Sequence, residues 1–568
     1  MTLPDGSCQA AGVPPDACGD GFTADADGCA PILPAEPCPP GLMALPGDTT
    51  CRPVAPCGAG TWGDIPVDPA TQYVDAAFGG VGKGTAAEPF STIGEALAAA
   101  QKGAIVAVAA GSYAEDLTIS KPVVLWGVCP ELVEIVGSSA AIAAIDVRAG
   151  GTGSEIRSLA ITGDSAGVGA SGPDALLVDS VWVHDLTRSA LDAESTLGST
   201  TVTLHRFLAE ATESYGLFVQ GADVAMSDVV VRDVAAGAQG AGRGINVQLH
   251  PEDGTRAHVT VDRFVVERTH EIGIFVAAAD LALSRGVVRD IAPNAAGAGG
   301  RGIEIEDYPP KHASTSVQVD TLVVERATDV GIAAAGSDVV IERTTVRDTR
   351  PRQSDGKLGR GLGAQDHELP GSLTVRWSLV ERSLDVGIFV GGVPTTLEGV
   401  RVRATAAQEA DSTGGRALNV QYGVDPTRRG SATARWSIFE QSFDQGAIVV
   451  GSDASFESVR ISDTAPRPSD GHYGDGVAAI AQNGPAKVDL LGVLVEGSAR
   501  AGLACFGCTA SVTTSELECN TIALDGEPFS DLAPTFLDAG DNTCGCKGAK
   551  EPCKVLTSEL EPPSPSGG

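Results

Sequence analysis

The segments Gly216-Leu-Phe-Val, Gly273-Ile-Phe-Val, Gly331-Ile-Ala-Ala, Gly387-Ile-Phe-Val, Gly446-Ala-Ile-Val and Gly502-Leu-Ala-Cys return at intervals of 57, 58, 56, 59 and 56 residues. A second marker keeps the same beat: Arg243-Gly-Ile, Arg301-Gly-Ile, Arg360-Gly-Leu and Arg416-Ala-Leu. Self-similarity at a fixed period means stacked units, each burying against its neighbours an apolar face that it cannot bury alone. Every period divides again. The steps Glu267 to Arg289, Glu325 to Arg347 and Glu381 to Arg403 are 22 residues, whereas Arg289 to Glu325 is 36 and Arg347 to Glu381 is 34. Three short strands with their turns fill 22 residues, which is one coil of a parallel β-helix. The longer steps carry extra loop residues.

Composition agrees with a fold that turns often and packs on small aliphatic side chains. Gly accounts for 71 of 568 residues and aromatic residues for 4%. The formal charge of −34 argues against duplex nucleic acid and anionic lipid as partners. No uninterrupted apolar stretch is long enough to span a bilayer. A monomer is expected.

Thirteen cysteines lie almost wholly at the two ends. Cys8, Cys18, Cys29, Cys38, Cys51 and Cys57 form one cluster, Cys505, Cys508, Cys519, Cys544, Cys546 and Cys553 the other, and Cys129 stands alone. Even clusters flanking a long cysteine-poor middle point to disulfide staples, hence to an oxidising compartment, secreted or at the cell surface. A zinc site is disfavoured because no His lies near the Cys505 cluster. Cys129 is expected to be the one free thiol. The first residues show neither a basic nor an apolar leader region, so a mature form is expected.

Three regions follow. Residues 1–68 are rich in Pro, Gly and Cys and read as a small disulfide-held segment, a module or stalk. Residues 69–525 are the β-helix, opened by a helical stretch at 93–101 that would cap the solenoid, with Thr92 and Glu95 forming a capping box. Residues 526–568 read as a Cys-containing cap and a disordered tail. About fourteen coils are expected in the middle.

Stacking predicts charge ladders. The residue after the third strand of successive coils reads Arg232, Glu267, Arg289, Glu325, Arg347, Glu381, Arg403, Glu440, and the next reads Asp233, Arg268, Asp290, Arg326, Asp348, Arg382. In-register neighbours lie about 4.8 Å apart, so the charges must alternate. Taken as exposed, each pair is worth about 0.2–1 kcal/mol, and replacing Glu325 by Lys is expected to cost about 1 kcal/mol.

Tyr73-Val-Asp75, Pro89-Phe-Ser-Thr-Ile93, Gly111-Ser-Tyr-Ala-Glu115 and the Gly-Ile-x-Val coils together resemble the secreted bacterial right-handed parallel β-helix repeat proteins of the pectin-lyase-like superfamily, over roughly residues 73–525. The resemblance implies a right-handed coil. It does not imply one activity, because such solenoids host lyases, hydrolases, esterases, epimerases and non-catalytic surface proteins. The Asp-Asp pair and Gly-His-Gly set of pectin hydrolases are missing, and His472 lacks the second Gly. Tyr422-Gly-Val-Asp-Pro426 resembles a segment of alginate epimerases, but Thr427 stands where those carry the His.

Inserted loops on every second coil are the place for a ligand. One row comprises 235–242, 292–300, 349–359, 404–415 and 464–474; the other comprises 250–257, 307–314, 366–371, 422–431 and 483–486. His250, Asp307, Tyr308, His367, Tyr422 and Asp425 in these loops, with Trp377 and Trp436 as surfaces for sugar rings or equally as shields of a hydrophobic corner, are the candidate ligand-binding residues. No catalytic set, metal site or cofactor is assigned. The leading expectation is a non-catalytic, structural or adhesive surface protein whose partner is an extracellular polysaccharide or another cell-surface component. A carbohydrate-binding protein using the loop groove is the second, and a lyase or epimerase acting on an acidic polysaccharide the third.

Overall fold

The computed structural model describes residues 10–238, 240–546 and 551–566. Two compact units make up the chain, residues 1–30 with 296–568 and residues 31–295. Each is a parallel β-solenoid, about 17 turns in all. The count exceeds fourteen because parallel pairing begins at Gln72–Val74 and continues through Thr535–Asp538 and Thr543–Gly545 to Val555–Leu556.

A turn has three strands, hence three faces. In the first unit Asp338–Glu342, Thr345–Arg347 and Arg360–Gln365 make one turn, and Ser372–Arg376, Leu379–Glu381 and Val386–Gly391 stack on it in register. Ile332, Leu362, Ile388, Leu418, Ala447 and Val477 form one inward column of the third face, all buried. The recurring Gly opens that face where the chain turns close to the second. A Cβ on Gly387 would sit 2.5 Å from Val402 Cγ1 and 2.8 Å from the Ala417 carbonyl oxygen. Glycine is kept there for space.

The helix in the second unit spans Ile93–Ala99, ending before the expected 101. Thr92 Oγ1 accepts from Glu95 N, and the Glu115 carboxylate accepts from Ile93 N and Gly94 N at 2.7 and 2.8 Å. A negative charge on the first-turn N–H groups favours the helix start.

The charge ladders form, but not at an exposed surface. Glu210, Glu267, Glu325 and Glu381 are at most 5% exposed. Each accepts from the Arg 22 residues on: Arg232 at 2.8 Å, Arg289 at 2.8 Å, Arg347 at 2.9 Å and Arg403 at 2.8 Å. The second column closes the long step instead, with Arg268 on Asp233 at 2.7 Å and Arg382 on Asp348 at 2.6 Å. Short and long steps are thus pinned by different ladders.

Part of that burial comes from the N-terminal segment. In the first unit Asp27 pairs with Arg401 and Arg403 at 2.8 and 2.7 Å, Asp25 pairs with Arg347 at 2.9 Å, and Gly12 N donates to the Gly399 carbonyl. In the second unit Gly41 N donates to Glu210 at 2.8 Å, and Arg232 donates to the Pro39 carbonyl at 3.0 Å. Disulfides join Cys18 to Cys29, Cys38 to Cys51, Cys505 to Cys508, Cys519 to Cys546 and Cys544 to Cys553. Cys129 is not a free thiol: it is bonded to Cys57, because the N-terminal segment passes beside its strand. Cys8 lies outside the described residues.

Two outcomes follow from these contacts. Glu325→Lys is expected to cost about 3 kcal/mol, the scale of a broken buried pair, rather than the 1 kcal/mol of an exposed one. A urea midpoint shift worth less than about 1 kcal/mol would place Glu325 in solvent. The six bonds use twelve of thirteen cysteines, so titration in denaturant should find one thiol per chain, absent in Cys8→Ser. An unchanged count in that variant would mean that one bond does not form.

Candidate binding groove

On every second turn, loops leave the chain on both sides of the third face. In the first unit 349–359, 404–415 and 464–474 precede Arg360–Gln365, Arg416–Gln421 and Asp475–Ile480, and the second row follows the same strands. Neighbouring loops hold one another. Buried Asp307 accepts from His367 Nδ1 at 2.6 Å and Leu369 N at 2.9 Å, and buried Asp366 accepts from Val424 N at 2.7 Å. In the other row Ala410 N donates to the Gly356 carbonyl at 3.0 Å, and Ser469 N to the Ser412 carbonyl at 3.2 Å. The third face is therefore the floor of a groove with two walls.

The floor is a set of outward columns. One runs Glu304, Ala333, Gly363, Phe389, Asn419, Ile448, Ala478; the next runs Glu306, Ala335, Gln365, Gly391, Gln421, Val450, Ile480. At the edge stand Arg301, Arg360 and Arg416, each bonded to the Asp of the turn above: Asp329 at 3.0 Å, Asp385 at 2.7 Å and Asp444 at 2.8 Å. An open stretch of about 410 Å³ is lined by Arg301, Glu304, Glu306, Arg352, Arg360, Gln365, His367 and Phe389. The Arg360 guanidinium lies 4.3 Å from the Phe389 ring centroid. Further along, the floor turns apolar at Ile448, Val450, Ile480 and Phe506, and Leu560 of the C-terminal segment packs against it.

The structure gathers some of the expected residues and separates others. Asp307 and His367 meet at the rim, with Tyr308 beside them. Tyr422 packs on the apolar floor, and Asp425 in the same loop accepts from Thr427. Trp377 and Trp436 are elsewhere, at the corner between the first and second faces, where φ is 46° and 52°. The Trp377 ring covers Gly399, where a Cβ would come within 2.1 Å of it. Sequence reasoning missed Arg301, Arg352, Arg360, Gln365 and Phe389, although the Arg-Gly-Ile marker held the signal. Among the described residues no His, Cys, Asp and Glu cluster is placed to hold a metal ion, and no helix is long and apolar enough to cross a membrane.

The second unit holds a different arrangement on its third face. His250 Nε2 lies 3.3 Å from Thr196 Oγ1, which donates to Glu194 at 2.9 Å, and Glu194 shares a hydrogen bond with Asp192. Burial, then the Glu194 carboxylate, push the Asp192 carboxyl up to about 7, against the opposing pull of Arg188. One Asp192 oxygen is buried without a partner.

That carboxyl sets the sign of a pH effect. Below about pH 4 it is protonated folded and unfolded alike; between about 4 and 7 only the folded chain keeps the proton, so stability falls as pH rises. Asp192→Asn should therefore raise the melting temperature at pH 8 and leave it unchanged near pH 4. An equal shift at both pH values would mean that Asp192 does not titrate in this range.

A family model described as a protein of unknown function (DUF1565) matches residues 79–285. No curated protein sequence matches the chain. Among solved structures, the catalytic unit of a thermostable GH87 α-1,3-glucanase from Streptomyces thermodiastaticus strain HF3-3 is similar at 12% identity, over 87% of this chain and 71% of that one, with a TM-score of 0.29. The A-module of mannuronan C-5 epimerase AlgE6 from Azotobacter vinelandii is similar at 10% identity over 83% and 95%, with a TM-score of 0.29. The periplasmic alginate epimerase AlgG is similar at 8% identity over 75% and 77%, with a TM-score of 0.26. At that level of likeness their chemistry does not carry over to this chain.

Proposed function

We propose that this chain works outside the cell as a monomeric, non-catalytic binding protein whose groove in the first unit holds an extended, repeating chain. The observation that carries the reading is the repeat of the groove's polar side chains: Arg301, Arg360 and Arg416, with Gln365 and Gln421, recur on every second turn, about 9.6 Å apart. A periodic surface suits a periodic ligand, whereas bond cleavage needs acid, base and charge stabiliser converging on one point. The six disulfides fit an oxidising compartment. We take the turns as right-handed, the hand that parallel crossovers in one sheet almost always adopt, and the helix Ile93–Ala99 as closing the solenoid's open end.

A second reading rests on Asp192 and Glu194. A buried Asp192 carboxyl raised to about 7 beside the Glu194 carboxylate has the form of an acid–base pair, and an enzyme acting on an acidic polysaccharide would use it so.

One experiment separates the readings. Linear polysaccharides, acidic and neutral, and extended peptides are assayed for both binding and cleavage. The expected result is binding without cleavage, weakened roughly a hundredfold by Arg352→Ala with Gln365→Ala, the scale of lost hydrogen bonds from one charged and one neutral donor. Binding by no member would sink the groove reading. Cleavage abolished by Asp192→Asn would replace it with the second.

A further inference from the structure

The far stretch of the groove already holds a chain, the protein's own residues 558–566. Ser558 N and Leu560 N donate to Glu527 at 2.6 and 3.2 Å. Arg500 donates to the Glu561 carbonyl at 2.8 Å, Tyr473 to the Pro562 carbonyl at 3.4 Å, Arg416 to the Ser564 carbonyl at 2.7 Å and Gln421 to the Ser566 carbonyl at 3.3 Å. The Ser566 hydroxyl accepts from Arg416 at 2.9 Å and donates to Asn419 at 3.1 Å. Arg416, Asn419 and Gln421 are themselves buried. Tyr473 is clamped, with the Arg467 and Arg500 guanidiniums 4.6 and 4.9 Å from its ring centroid. Leu560 packs on the apolar floor, and Pro563 is buried.

Two features make this more than a tail lying on a surface. The first is what the donors read. Four of them end on main-chain carbonyls, those of residues 561, 562, 564 and 566, groups that a polyproline II helix leaves without internal partners and that a polysaccharide does not have. The second is spacing. Glu527 and Gln421 lie four turns apart, about 19 Å. The six steps from Leu560 to Ser566 cover that distance at about 3.1 Å per residue, the polyproline II rise. Its three-residue repeat, about 9.3 Å, matches the two-turn period of about 9.6 Å at which Arg416 and Gln421 recur as Arg360 and Gln365. Pro562, Pro563 and Pro565 hold such a segment extended before it docks, which lowers the entropy lost on binding.

We propose that the groove is a receptor for proline-rich peptide in the polyproline II conformation, with residues 560–566 as its resident occupant and the open stretch over Gln365 as the seat for a partner's proline-rich segment. The proposal rests on the groove-binding reading and names its ligand class.

The test uses the full chain and a fluorescent peptide of residues 557–566. Wild type should bind it through the open stretch, roughly tenfold more weakly after Gln365→Ala. Leu560→Asp with Pro563→Asp loosens the resident segment and should tighten peptide binding roughly tenfold, an increase that Gln421→Ala removes. A peptide with Gly at its three Pro positions should bind more weakly than the parent in both backgrounds. Equal binding of the two peptides, or indifference to Gln365→Ala and Gln421→Ala, overturns the proposal. If the doubly substituted chain loses its native circular dichroism, the wild-type and Gln365→Ala titrations decide alone. Binding of a polysaccharide but not the peptide sinks the ligand class and leaves the groove reading standing; binding of neither sinks both.

Discussion

Each turn of the solenoid supplies the backbone hydrogen-bonding partners of the next, so every side chain is set beside its counterpart one turn away. In that geometry a charge cannot be isolated from the charges above and below it. The chain answers with two ladders, Glu325 with Arg347 across the short step and Asp348 with Arg382 across the long one. Because the glutamates are buried, a slip of one turn would set like charges together away from solvent, at far greater cost than at a surface. Register is held electrostatically as well as by the apolar columns inside.

The N-terminal segment depends on the same ladders. Asp27 and Asp25 place carboxylates on Arg401, Arg403 and Arg347, and the Pro39 carbonyl takes a donor of Arg232. A segment with little apolar area of its own is held by charge it finds on the turns and by disulfides, among them Cys57 with Cys129. That is one way for a Pro- and Gly-rich stretch with few core residues to be ordered.

The groove arises from the alternation of long and short steps. Insertions on every second turn stack into walls because buried acceptors such as Asp307 and Asp366 in one row, and backbone bonds such as that of Ala410 to Gly356 in the other, tie a loop to the one two turns away. Between the walls the floor changes from Glu306 and Gln365 to Val450 and Ile480, and the chain's own proline-rich segment lies where the floor is apolar. An outward face that is apolar for several turns would be exposed without that cover.

Periodicity reports which residues occupy equivalent positions, and equivalence alone could be read from the residues. The 57-residue repeat, its division into 22-residue coils, the alternating ladders and the two loop rows were within its reach. Periodicity carries no information on which way a corner residue points or what lies over it. Trp377 and Trp436 shared a position in the repeat, yet a left-handed backbone at the corner sends them to another face. Glu325 read as exposed because burial by the following Arg and its neighbours is a three-dimensional fact. Cys57 found Cys129, and residues 558–566 found Arg416, through contacts between segments far apart in the chain and outside the repeat. Such segments obey no internal period, so only the folded surface, with its exposed donors and apolar floor, could decide where they lie.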